Sequence, residues 1–113
     1  MAEDKSSGAL EPSQVYDLST ILDYVTGSIV NRTLVKSKAG TVTLFSFDAG
    51  QGLSEHSAPY DAMVQVLDGE TELTIGGKPV ITKRGETVVM PANVPHAVQS
   101  SGRSKILLTM IRG

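Results

Sequence analysis

The chain has two histidines and no cysteine, so the two imidazoles carry most of the chemistry it can offer. His56 lies in SEHSAPYDAM, in the company of Glu55, Tyr60 and Asp61, and His96 closes MPANVPH. Imidazole titrates near neutrality and is the commonest metal ligand, so each ring can serve as ligand, acid–base group or hydrogen-bond partner. Two histidines with one carboxylate make the facial triad of non-haem iron sites, and Asp61 is the best candidate for that carboxylate. Without cysteine there are no disulfides, thiolate ligands, iron–sulfur clusters or cysteine nucleophiles. No serine–histidine–acid arrangement stands out among the serines.

These side chains need elements that bring them together. Residues 1–13 are rich in serine, charge and small residues and read as a flexible arm, leaving 14–113 as one domain. In QVYDLSTILDYV, Leu18, Ile21, Leu22 and Val25 recur at helical spacing, which predicts a short helical turn. From Ser28 the period changes. SIVNRTLVK, TVTLFSF, AMVQVL, TELTI, KPVIT, TVVM and SKILLTMI are short runs rich in β-formers, separated by glycine-containing turns. This predicts seven or eight antiparallel strands in a sandwich or barrel. Asp68-Gly69 and Gly76-Gly77 predict tight hairpins, and hence a meander from Ala62 to Thr82. Both histidines are expected at strand starts after constrained loops, the second fixed by Pro91 and Pro95.

AMVQVL and KILLTMI are apolar on both faces, so a homodimer is expected to cover the second face. The four methionines read as packing residues. Net charge is −2 with lysine and arginine scattered, no run being longer than Lys83-Arg84, and there is no tryptophan. Neither a phosphate-binding footprint nor a base-stacking platform is present, which argues against nucleic acid. No membrane span is expected, nor a signal peptide. A cytoplasmic protein is the default expectation.

Gly50-x5-His56 with Gly69, followed by Gly85-x5-Pro91-x4-His96, resembles the two signature motifs of the cupin superfamily, specifically its small single-domain members. VLDGE, TKRGETVVMP and VPHAV are similar to phrases typical of it, and the likeness runs from about Ser28 to Ile111. The resemblance implies an all-β fold, a double-stranded β-helix or jelly-roll barrel. In that family three histidines and a glutamate point inward and hold Mn, Fe, Ni, Zn or Cu. His56 matches the first histidine and His96 the third. Ala58 stands at the second histidine, Ala62 at the glutamate, Asn93 at a glycine and Ser100 at a trailing polar position. With two of the four ligands replaced, a weakly held divalent ion (Mn, Fe, Ni or Zn) on His56 and His96 is the expectation.

Strand parity bears on the substitutes. If Ala62 faces inward, Asp61 and Gln65 face outward unless a bulge intervenes. Glu55 has the same difficulty beside His56. Tyr60 reads either as a hydroxyl capping the barrel mouth or as a loop aromatic. Ala58 and Ala62 free volume and lower polarity, which favours an organic ligand with the histidines as its polar partners. Three functions follow: a small-molecule binder, a metal-dependent enzyme (oxygenase, isomerase or decarboxylase), and a non-catalytic sensing or structural module.

Overall fold

A computed structural model describes residues 8–112, and from Ile29 onward the chain is a succession of nine strands. They are β1 (Ile29–Ser37), β2 (Gly40–Phe47), β3 (Gly52–His56), β4 (Asp61–Asp68), β5 (Glu70–Ile75), β6 (Lys78–Lys83), β7 (Thr87–Met90), β8 (His96–Gln99) and β9 (Ser104–Ile111). Five pair in the order β1-β2-β9-β4-β7 and four in the order β3-β8-β5-β6, all antiparallel. The two sheets enclose the core, as expected of a cupin jelly roll.

Period-2 alternation builds that core. In β4, Ala62, Val64 and Val66 are buried while Met63 and Gln65 take the other face. They join Phe47, Leu73, Met90, Val98 and Ile106 in one cluster, with Phe45 stacked parallel to Phe47 at 5.8 Å. Each large side chain buried this fully contributes about 1.5–3 kcal/mol relative to exposure. Thr71 and Thr82 face each other across β5 and β6, and among the described residues neither buried hydroxyl has a partner.

The structure corrects several expectations. Among the described residues there are nine strands rather than seven or eight. Asp68-Gly69 does not close a hairpin, because β4 and β5 belong to different sheets and the dipeptide turns the corner between them. Only β5 and β6 form the expected hairpin of the meander. Gly69 has φ +69°, and a Cβ there would lie 2.3 Å from the Arg103 carbonyl oxygen, so both the turn and the close approach require glycine.

The helical turn is also absent; no helix occurs among the described residues. Asp17 instead accepts from the Ser19 amide at 3.0 Å and hydroxyl at 2.7 Å, local bonds that compete with helix formation. The Thr20 amide closes a turn on the Asp17 carbonyl at 3.0 Å, and tertiary bonds then hold this run of turns and bends against the sheet. Ser46 Oγ donates to the Asp23 carbonyl at 3.1 Å, and Lys105 Nζ donates to that of Ser19 at 2.7 Å. Lys105 Nζ also lies 4.8 Å from the Tyr24 ring centre, and the Tyr24 hydroxyl donates to Asp68. Burial, and then this bond, raise the pKa of the tyrosine.

This strap crosses the outer face of β2 and β9. It supplies within the chain part of the cover that their second apolar face demands. Of the arm expected over 1–13, residues 1–7 lie outside the described residues. Beyond them the Leu10 amide donates to Leu34 O at 3.0 Å, docking the chain on β1.

Candidate functional site

β3 and β8 are neighbours, and their register places His56 directly opposite His96. Gly52 permits the close approach of the two strands, since a Cβ there would meet the Val98 carbonyl oxygen at 2.2 Å. The flanking loops are joined as well. The Asn93 amide donates to the Ala58 carbonyl at 2.7 Å, and the Ala92 amide to Asp61 Oδ1 at 2.9 Å. Asn93 has φ +66°, a left-handed conformation that asparagine tolerates better than most residues. His96 begins its strand as expected. His56 ends β3 rather than starting a strand, because the glycine-interrupted run 52–56 is itself the strand.

The imidazoles meet edge to face, ring centres 4.4 Å apart and planes at 75°, with Nε2 to Nε2 at 3.2 Å. Each Nδ1 faces a carbonyl oxygen: Ser54 O at 2.8 Å for His56 and Val94 O at 3.2 Å for His96. A carbonyl only accepts, so both Nδ1 atoms carry the proton and donate. In the neutral rings both Nε2 atoms are then bare lone pairs facing one another. His96 is 3% exposed whereas His56 lies open at the mouth. Burial first, and then the neighbouring His56, push the His96 pKa below the usual histidine value, while the Val94 carbonyl opposes the shift.

Beyond the pair the site is apolar. A cavity of about 110 Å³ is lined by both histidines, Ala58 and Ala62, and by Leu53, Val64, Met90, Val98, Ile106, Leu108 and Met110. On the sheet opposite the histidines, Met90, Ala62 and Met110 stand in one cross-strand row. The structure thus brings together His56, His96, Ala58 and Ala62. It places Tyr60 and Asp61 elsewhere, in a separate surface depression with Pro59, Ala92 and Ile111. Asp61 is exposed and holds the Ala92 amide, the outward placement that parity implied. Tyr60 lies under the Arg112 guanidinium, 5.6 Å from the ring centre. Ser100 is fully buried and bonded to Ser104 Oγ at 2.7 Å. Met90 and Met110, expected only as packing residues, line the cavity. Their parity, Met110 with Ile106 and Met90 directly before Pro91, is the signal that places them inside.

A cupin metal would sit on these histidines, and the donor set can be tested against that. Two nitrogens bound side by side to one ion at about 2.0–2.1 Å lie about 3.0–3.4 Å apart, which matches the pair. The rest does not match. Among the described residues no three or more of histidine, cysteine, aspartate and glutamate are grouped to hold an ion. The residues do not fit a tightly held four-ligand metal.

Among solved structures, the chain is similar to a conserved Streptococcus pyogenes protein of unknown function, with 35% identity, TM-score 0.88, and 94% of this chain and 93% of that one covered. It is 42% identical to a cupin 2 conserved barrel domain protein from Leptotrichia buccalis, TM-score 0.83, over 86% of this chain and 47% of that longer one. A cupin superfamily protein from Desulfitobacterium hafniense shares the fold at 23% identity, TM-score 0.86, over 92% and 95% of the two chains. No curated protein matches it. The sequence model of the cupin domain matches residues 43–112, a span that takes in both histidines and every strand from β3 to β9. With its signature spacing, its two-sheet barrel and that match in agreement, the chain belongs to the cupin family.

Proposed function

We propose that this cupin binds a small, largely apolar organic molecule in its barrel, anchored through the histidine pair. One observation carries the reading: an apolar cavity whose polar groups are gathered at a single point, the two facing Nε2 atoms. Such convergence is what ligand sites have and packing defects lack. Its volume of about 110 Å³ compares with the roughly 150 Å³ cavity that accepts benzene in an engineered protein. A single ring therefore fills it. Ligand binding to the folded state alone raises the melting temperature, so a panel of monocyclic compounds screened by thermal shift tests the reading. No shift across the panel overturns it.

The 3.2 Å separation of the nitrogens supports a second reading, a weakly held divalent ion completed by water. Zinc and nickel titrations of the protein stripped with chelator test it. Affinity lost in His56→Ala supports the reading, and no saturable binding removes it.

The assembly we favour is a homodimer. The outer face of the five-stranded sheet keeps one uncovered row through all its strands, Val35, Val42, Thr109, Met63 and Val89. Val35 and Val89 are each 55% exposed and Ile111 beside them is 60% exposed. A second copy would bury this row, and light scattering that returns the 11.9 kDa monomer overturns the proposal. No helix among the described residues is long and apolar enough to cross a membrane. The cysteine-free composition supports a cytoplasmic setting as part of the same reading.

A further inference from the structure

We infer that the ligand is a neutral aromatic ring bearing one hydroxyl, a phenol-class molecule that donates its O–H into the histidine pair. This rests on the small-molecule reading above and narrows it to a chemical class.

Hydrogen-bond accounting carries the argument. Both Nδ1 protons are committed to the carbonyls of Ser54 and Val94, which leaves Nε2 of His56 and of His96 as acceptors 3.2 Å apart. A bond between those two atoms needs a proton that neither neutral ring carries in these tautomers. Each Nε2 therefore lacks a donor: solvent at the mouth reaches that of His56, and a ligand O–H supplies the one that buried His96 needs. His96 is nearly fully buried, so leaving its lone pair unmet carries a cost that such a ligand removes.

The same accounting excludes other classes. A carboxylate or phosphate brings only acceptors to two acceptors, and no lysine or arginine lines the cavity to offset its charge. An ammonium ion would find no carboxylate there. A sugar would bury several hydroxyls against valine, leucine and methionine with one point able to receive them.

Size and lining give the ring. The volume suits one six-membered ring, and Met90 and Met110 flank Ala62 on the wall facing the histidines. Thioether sulfurs make favourable contacts with aromatic rings, and the small alanine between them leaves room for the ring.

The test is calorimetric titration of the metal-stripped full chain with phenol, anisole, benzene, cyclohexanol and benzoate. Phenol should bind about tenfold more tightly than anisole or benzene, the factor expected of one net hydrogen bond. Cyclohexanol should be weaker than phenol, and benzoate should not bind. His56→Ala, at the exposed mouth where folding is little at risk, leaves the buried His96 Nε2 as acceptor and should keep the preference for phenol over anisole. His96→Ala should abolish that preference, with retained benzene binding showing that the fold survives. The ultraviolet spectrum of bound phenol should remain that of the neutral species. Equal affinity for phenol and anisole, tighter binding of cyclohexanol or benzoate, or a phenolate band overturns the inference while leaving a cavity binder. Failure of every compound, benzene included, overturns both.

Discussion

The backbone amide of Asn93 donates to the carbonyl of Ala58 at 2.7 Å, tying the loop after β3 to the loop before β8. Each loop leads directly to or from a histidine, so this bond adds to the β3–β8 register in holding His56 opposite His96. It is made from a residue at φ +66°, where a β-branched side chain is strained. Asn93→Gly should retain stability within about 0.5 kcal/mol, and Asn93→Val should lose about 1–3 kcal/mol. Urea denaturation measures both. Equal stability of the two variants would mean that the backbone conformation is not what holds the loops.

The pH behaviour of His96 follows from its surroundings. Burial and the neighbouring His56 depress its folded pKa below the ordinary value near 6.5. The fold therefore favours the neutral ring. This contribution to stability is complete above the unfolded pKa and is lost as pH falls through the folded one. NMR titration should place His96 below the usual histidine range. His56→Ala should move it part of the way back, because burial, the larger cause, remains. A His96 that titrates normally in the wild-type chain would contradict the buried pair.

Much of the barrel was legible because alternation and burial coincide. AMVQVL and TVTLFSF fold as strands near the expected bounds, and the parity of Ala62 alone implies that Asp61 lies outside the barrel. The two corrected elements depend on partners remote in sequence. Leu18, Ile21, Leu22 and Val25 have helical spacing, but Lys105 and Ser46 bond the carbonyls of Ser19 and Asp23 and hold the strap as turns and bends against the sheet. Asp68-Gly69 has hairpin composition, yet β4 pairs with β9 and β5 with β8 in different sheets, partners remote in sequence that make the dipeptide a corner. β3 escaped notice because Ser54, Glu55 and His56 are exposed and leave no apolar period. The methionine row was obscured for another reason: cross-strand register is not written in either strand alone.

Thr71 and Thr82 present the opposite of a functional pair. They are register partners, each 1% exposed, and neither hydroxyl has a partner among the described residues. Replacing an unmet buried hydroxyl by a methyl of the same shape removes a desolvation cost. Thr71→Val and Thr82→Val should each stabilise the fold by about 1 kcal/mol, read from the denaturation midpoint at constant slope. A loss of stability in both would show that the hydroxyls are satisfied in solution.

The two alanines allow the site to be moved back toward its family. Ala58 is half-buried and Ala62 buried, and both line the cavity on which the histidines converge. Ala58→His adds a third imidazole at the position of the family's second histidine, near the mouth, where a polar ring can be solvated. It should strengthen zinc or nickel binding at least about 10–100-fold, the scale seen for even an outlying partner of a metal ligand. Calorimetry measures the gain. Ala62→Glu alone should behave differently. Its carboxylate enters a wall between Met90 and Met110 with no cation beside it, so it should destabilise the metal-free protein by several kcal/mol. Added zinc should restore much of that loss only when Ala58→His is also present, because the ion then compensates the buried charge. Both substitutions fill volume, so both should weaken the binding of benzene. If the double variant binds no more metal than the wild type, the inward direction assigned to Ala58 and Ala62 is wrong. The cavity would then owe its shape to other residues.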